Sequence, residues 1–435
     1  MSLLNRSILF CFLPFSFYSC MHEFKVTTLT QSASGHTLHH NGVFSPDDEW
    51  IVFDGRNDDT KIGETSTIGM VNVNTGEEKI LYKTDNQTQY GPGVGAASFS
   101  PKENMVLFIH GLYDADQTKP YDMARRFGLA IETDRPMMGI HMDARDVVPP
   151  YIPGSLRGGT HSHAWSADGR LVSFTYNDEF VDPDLRVVGV MVPHESGVTV
   201  PEEKGNNNGK LYAAVVTDVV REPKWGSDEI SKAFDECWIG AKGKYEIAFQ
   251  GNTRNDKGET ITEIFTVEID PQVIVQDRGA VGKVGERPQV PQGIKQRRLS
   301  RTIKGLSDLR HWLRSSPDGS TVYALGKDDQ GRNQVVQCNV MTGETTYVSD
   351  LDFSISSPIN ISTKGDKVTF IGNNNVYVFH LVSKKLDKLT LNTPEDLKVV
   401  GVPVFSRKDD KIAFNQFAFR NGVEYIQIKL VDVTN

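Results

Sequence analysis

The chain has 435 residues, of which 38% are hydrophobic and 24% charged, the composition of a globular protein with a packed core. A net charge of −9 argues against a nucleic-acid partner, because phosphate binding needs a basic surface. After residue 20 no run is long and apolar enough to span a bilayer, so any membrane contact would come through a lipid anchor.

Asn5 and Arg6 precede the apolar run ILFCFLPFSFYS, which ends at Cys20. The run has the length of a secretory h-region and is too short for a stable span. Ser19 directly before Cys20 points to lipoprotein processing with Cys20 lipidated; simple cleavage and release is the alternative. The expected organisation is a signal peptide over 1–20 and one domain over 21–435. The expected location is beyond the inner membrane, in the periplasm or as an outer-membrane lipoprotein. Four cysteines do not make a disulfide framework. With Cys11 removed and Cys20 lipidated, Cys237 and Cys338 could form one bridge at most.

From residue 45 onward one phrase recurs: a Ser-Pro-Asp-Gly-like turn, then an apolar strand. The copies are SPDDEWIVF from Ser45, SPKENMVLF from Ser100, SADGRLVSF from Ser166, AKGKYEIAF from Ala241, SPDGSTVYA from Ser316, STKGDKVTF from Ser362 and SRKDDKIAF from Ser406. Six of the seven place a Phe eight residues after their first position. Further strands follow each turn, as in TIGMVNVN and EEKILYK of the first copy, with Gly/Asn/Asp turns between alternating apolar positions. Seven such units predict an all-β, seven-bladed β-propeller. The last unit ends one strand short, and FKVTTLT (Phe24 to Thr30) looks like an outer strand without a blade. It is expected to pair with the last blade and close the ring, since an all-β ring needs its edges removed.

Two regions depart from the repeat and are read as insertions, near 110–160 and 193–238. In the second, Ser227-Asp228-Glu229 could start a helix with Ile230, Ala233, Phe234 and Cys237 on its apolar face. The Pro/Gly-rich stretch from Asp270 to Gln296 reads as a surface loop.

The repeat also serves as a ruler. Five residues before each turn stand His40, Gly95, His161, Glu236, His311, Ser357 and Gly401. This offset lies early in the innermost strand, beside the central channel. His163, two residues beyond His161, would share a strand face with it. Imidazoles and a carboxylate converging from separate blades could hold a divalent metal such as Mn, Zn, Fe or Ni. The expected ligands are His161, His163, Glu236, His311 and His40, with His39 and His141 as further candidates. Histidines at such positions can equally serve only to hydrogen-bond neighbouring loops. Arg157, Arg310 and Arg145 lie close in sequence to this level, and guanidinium groups bind carboxylates bidentately. They would bind an acidic sugar or peptide, or else pair with nearby aspartates such as Asp143, Asp146 and Asp308.

The run PYIPGSLRGGTHSHAWSADGRLVSFTYND, with GSDEI, QRRLS and RHWLRSSPDG further on, resembles the YidR-type propellers, bacterial proteins of unknown function related to TolB-like propellers. The resemblance covers nearly the whole chain after the leader and implies a propeller without an established activity. More distantly, HSHAWSADGRLVSF is similar to the His-x-His strand of oligogalacturonate lyases, seven-bladed propellers that hold a metal with histidines and a Gln. That resemblance implies His161, His163 and His311 as ligands. Gly158 stands where those lyases have the Gln, and Glu236 or His40 could take its place. Two functions are therefore expected to compete. One is an envelope propeller binding a glycan, another ligand or an envelope protein. The other is a metal-dependent lyase that cleaves an acidic glycan by β-elimination, with catalytic residues left unassigned.

Overall fold

The computed structural model describes residues 24–433 apart from 59, 241–242 and 394. The leader, Cys20 and the Ala241 start of the fourth turn lie outside the described residues.

The six turns that begin with Ser are each held by their own side chains. In the third unit the Ser166 hydroxyl donates to Asp168 at 2.7 Å and accepts from the Leu171 N–H at 3.0 Å. The Ser45 and Ser316 turns repeat both bonds. The phrase is therefore a turn that aims the next strand. The Phe that follows is driven into the core: Phe53, Phe108, Phe174, Phe249, Phe370 and Phe414 are all buried.

The result is the expected seven-bladed propeller. Blades 2 to 7 each have four hydrogen-bonded strands. Blade 1 has three, Trp50–Asp54, Thr67–Asn72 and Glu78–Lys83. Its inner edge is reduced to the bridges Thr37 to Asp54 and Phe44 to Ile51. Ring closure follows the sequence expectation, with Val26, Thr27 and Thr28 pairing antiparallel with Val431, Leu430 and Lys429. Blades are also stitched turn to turn. Asp48 accepts from the Arg407 and Lys408 N–H groups, and Asp409 from those of Thr363 and Lys364. The two remaining cysteines, Cys237 and Cys338, are free thiols.

The first insertion region contains the outer strands of blade 2, Arg126–Glu132 and Ile140–His141. The second contains the outer strand of blade 3, Gly209–Val215, and the inner strand of blade 4, Lys232–Trp238. The expected helix is therefore wrong: Ala233, Phe234 and Cys237 lie on a strand. The reason is a β-bulge. Phe234 pairs with Gln250 and Cys237 with Ala248, so one extra residue sits between two same-face positions. That gives a spacing of three, which imitates a helical face. Within the Asp270 to Gln296 stretch a short helix does form, Pro271–Gln276. Asp270 caps it and Pro occupies its first turn.

The same one-residue bulge recurs in the inner strands of blades 2, 3 and 4, and the inner strand of blade 7 has a larger one with two extra residues. Each contains a residue with positive φ: Ala96 (58°), Ser162 (56°), Asp235 (49°) and Gly401 (72°). These bulges decide which side chains reach the channel.

Candidate functional site

A cavity of about 270 Å³ occupies the central channel. Its walls run from the inner-strand residues His163 and Glu236 and the blade 1 edge residue His40 to turn residues such as Pro101, Ala167 and Arg407. It thus extends toward the Ser-Pro-Asp turns, away from the strand starts on which the ruler reading centred.

The bulge in blade 3 separates the two histidines of the His-x-His pair. His161 pairs with Thr175 and Ala164 with Ser173, so the alternation is broken between them. His161 turns to Asn177, its Nε2 3.1 Å from Oδ1. His163 turns the other way, to Thr160 Oγ1 at 3.0 Å, and lines the cavity. Sharing one face, as the sequence spacing suggested, is corrected by this extra residue.

Blade 4 corrects the ruler itself. Its turn is closed by the Ile239 N–H bonding to the Glu246 carbonyl; in blade 3 the closing pair is Ser166 and Leu171. The blade 4 connection is two residues longer, so Glu236 occupies the place of His163, not of His161. Each follows the positive-φ residue of its bulge.

His311 does share the ruler position, but its ring belongs to the backbone. Nδ1 lies 2.6 Å from the Leu309 carbonyl, and Nε2 accepts from the Leu325 N–H at 3.1 Å. Burial holds its pKa down to about 4. His141 is on the outer strand of blade 2, beside the Tyr113 hydroxyl.

On the blade 1 wall, His39 and His40 pack with ring centroids 4.0 Å apart, and His40 stacks on Trp312 at 3.8 Å. Arg314, from the inner strand of blade 5, donates to His40 Nδ1 at 3.1 Å and to the His40 carbonyl at 2.9 Å. Burial, then neighbouring cations and imidazoles, holds both histidines well below the usual range, so both are neutral at pH 7. Burial also raises Glu236 to about 8, with Asp235 adding to the rise. Its carboxyl group is thus largely protonated at neutral pH.

Sixteen buried side-chain polar atoms lack a hydrogen-bond partner among the described residues, and half belong to residues lining this cavity. They include His39 Nε2, His40 Nε2, His163 Nδ1, both Glu236 oxygens and Arg314 Nε. Buried polar groups normally find partners, so the eight atoms around one cavity single it out as the candidate site.

The expected arginines divide. Arg157 is buried away from the cavity. It stacks on Tyr151, faces Asp178 at 3.4 Å and donates to the Val281 and Glu286 carbonyls. Arg145 is likewise buried, bonded to the Gly158 carbonyl and Glu179. Both brace loops; neither lines the channel cavity. Arg310 is exposed, stacks over Trp312 and lies 3.8 Å from Asp235. Sequence reasoning missed Arg314, Thr160 and the role of His39. Arg314, two residues before a turn, was the most readable of these.

Comparison with known proteins places the chain. It is 34% identical over 394 residues to the uncharacterised protein YidR of Escherichia coli (strain K12), covering 86% of this chain and 92% of that one. This chain belongs to the YidR family. Residues 93–208 of this YidR-family chain also match the family described as a protein of unknown function, DUF3748. Among solved structures it is similar to an oligogalacturonate lyase in complex with manganese: TM-score 0.55 and 12% identity, over 95% of this chain and 94% of that one. It is also similar to puromycin hydrolase, with TM-score 0.54 and 9% identity over 90% of this chain. There it spans about half of the larger protein, 51%. At these identities the likeness shows the propeller fold alone.

The manganese in that lyase raises the question of a metal here. Among the described residues no three His, Cys, Asp or Glu side chains come together so as to hold an ion. His161 faces Asn177, His311 is bonded to backbone, and the histidines of the cavity are not clustered with Glu236. The expected ligand set therefore does not fit a metal, and no chemistry is routed through one.

Proposed function

We propose that this chain is a cell-envelope propeller that binds a small polar ligand in its central channel, with the end of an acidic glycan as the favoured class. The observation that carries this reading is the set of eight unpartnered buried polar atoms around one cavity. Arg314 gives the cavity a positive group, and a largely neutral Glu236 does not oppose it. An anionic ligand suits that balance. The cavity of about 270 Å³ falls just below the ~300–1,000 Å³ usual for ligand pockets, which favours a monosaccharide-sized group over a polymer. The envelope location rests on the leader and Cys20.

Cys237 lines the cavity and Cys338 does not; burial pushes the Cys237 thiol up to about 12, so its slow alkylation, followed over a long incubation at neutral pH, supplies the test. A panel of acidic and neutral mono- and disaccharides is added to purified protein, and labelling of each thiol is followed by mass spectrometry. A ligand of the channel slows Cys237 and leaves Cys338 unchanged. Protection that persists in a His40→Ala/Glu236→Ala double variant would mean that the ligand binds elsewhere.

A further inference from the structure

The bonds behind the lining side chains fix the hydrogen-bonding polarity of the cavity. Thr160 Oγ1 has one proton and two partners, Asp143 Oδ2 at 3.0 Å and His163 Nε2 at 3.0 Å. Asp143 already accepts from the Gly128 N–H at 2.7 Å through its other oxygen. Burial raises Asp143 to about 6, so above that pH it is a carboxylate that only accepts; Thr160 then donates to Asp143 and must itself accept from His163. His163 therefore carries its proton on Nε2. Its Nδ1, buried and without a protein partner, is a bare lone pair. Gly128 leaves room for this chain of bonds: a Cβ there would stand 3.0 Å from His163 Nε2 and 3.2 Å from Asp143 Oδ1.

His40 is held in the opposite sense. A guanidinium only donates, so Arg314 fixes His40 Nδ1 as an acceptor and puts the proton on Nε2. That Nε2–H and the Nε–H of Arg314 are both buried without partners. The cavity thus offers an acceptor from blade 3 and two donors from blades 1 and 5. The carboxyl of Glu236, from blade 4 and beside the Ser173 hydroxyl, stands between blades 3 and 5 in the ring order.

We propose that this cavity is a hydroxycarboxylate subsite. The carboxylate of a uronic or aldonic acid accepts from Arg314 Nε and His40 Nε2, and a hydroxyl of the same molecule donates to His163 Nδ1. Thr160 is a positioning residue that fixes the tautomer of His163. The assignment rests on the reading of the cavity as a small-ligand site and adds the class of molecule. A plain carboxylate satisfies the donors but leaves His163 unmet, whereas a neutral sugar can reach all three only through hydroxyls and lacks the charge that strengthens the bond from Arg314.

The test is calorimetric titration of the full chain with three sets of probes. These are sodium D-glucuronate, D-galacturonate and D-gluconate; D-glucose and D-galactose; and sodium acetate. At least one hydroxycarboxylate is expected to bind ~10-fold or more tightly than the best neutral sugar and than acetate, the size of one lost hydrogen bond. Thr160→Val should weaken that probe ~10-fold, and Thr160→Ser should restore it, since only the hydroxyl is needed. A neutral sugar or acetate that binds as tightly overturns the assignment, as does Thr160→Val binding unchanged. The probe comparison needs no variant, so it stands even if Thr160→Val folds poorly. Should no hydroxycarboxylate bind while another compound protects Cys237, the class falls and the small-ligand reading survives. Should nothing protect Cys237, both fall.

Discussion

Replacing Glu236 by Gln tests the electrostatics of the channel directly. In the unfolded chain the carboxyl loses its proton near the ordinary value of 4.5, and in the folded protein burial holds the proton to about 8. Between those values the unfolded state binds fewer protons than the folded one, so this group makes stability fall as pH rises. Its full contribution is present below pH ~4.5 and is lost progressively up to pH ~8. The interval of about 3.5 pH units, at about 1.36 kcal/mol each, amounts to about 5 kcal/mol. Around this carboxyl, Asp235 raises the value further and Arg186 opposes it, but both are present in wild type and variant. Gln cannot ionise, so Glu236→Gln should match wild type near pH 5 and gain on it by about 1.4 kcal/mol per pH unit toward pH 8. Denaturant unfolding of both proteins at half-unit steps from pH 5 to 9 reads the difference, and the buried histidines cancel from it. A stability difference that does not change with pH would refute a buried, proton-holding Glu236.

Four further outcomes are expected. Arg157→Ala should cost about 3–5 kcal/mol by leaving Asp178 buried without its cation, while Cys237 protection by ligand is retained; an unchanged melting temperature would show that Arg157 braces nothing. Gly128→Ala should weaken probe binding, because its Cβ at 3.0 Å displaces His163 Nε2; equal affinity would mean that His163 does not touch the ligand. Deleting residues 24–31 should lower the melting temperature and promote multimers, since it exposes the edge of Val423–Asp432; a monomer of native stability would show that closure is dispensable. Elemental analysis of the purified protein should find no stoichiometric manganese or zinc; one bound ion per chain would show that the channel histidines rearrange around a metal.

The architecture was legible because each blade repeats a turn with its own chemistry. Ser166 and Asp168 close their turn by local bonds, and Phe174 enters the core at a constant distance from it. Local chemistry at constant spacing survives in a sequence. The closing strand was readable for the same reason, as a strand lacking a blade. The site was legible only in part. His40, His163 and Glu236 were found, but on an argument from equal offsets that failed twice. Blade 4 carries two more residues in its turn, and a one-residue bulge reverses the faces in blade 3. Neither leaves a clear mark. Of the four positive-φ bulge residues only Gly401 is a glycine, whereas Ala96, Ser162 and Asp235 look unremarkable. His311 shows the converse: it sits at the right offset, yet its ring answers to Leu309 and Leu325. Arg314 escaped notice because its role depends on His40, 274 residues earlier.

The closing strand also orders events in time. Val26 pairs with Val431, a partner made about 400 residues later in synthesis. Six blades can pack as they emerge, but the ring joins only when the far end of the chain is complete. Loop closure over such a span is slow to nucleate compared with hairpins inside a blade. Val26–Thr28 therefore waits as an unpaired strand until the end of folding. A circular permutant opened between two blades would turn this last step into an ordinary hairpin, and it should refold faster than the natural chain.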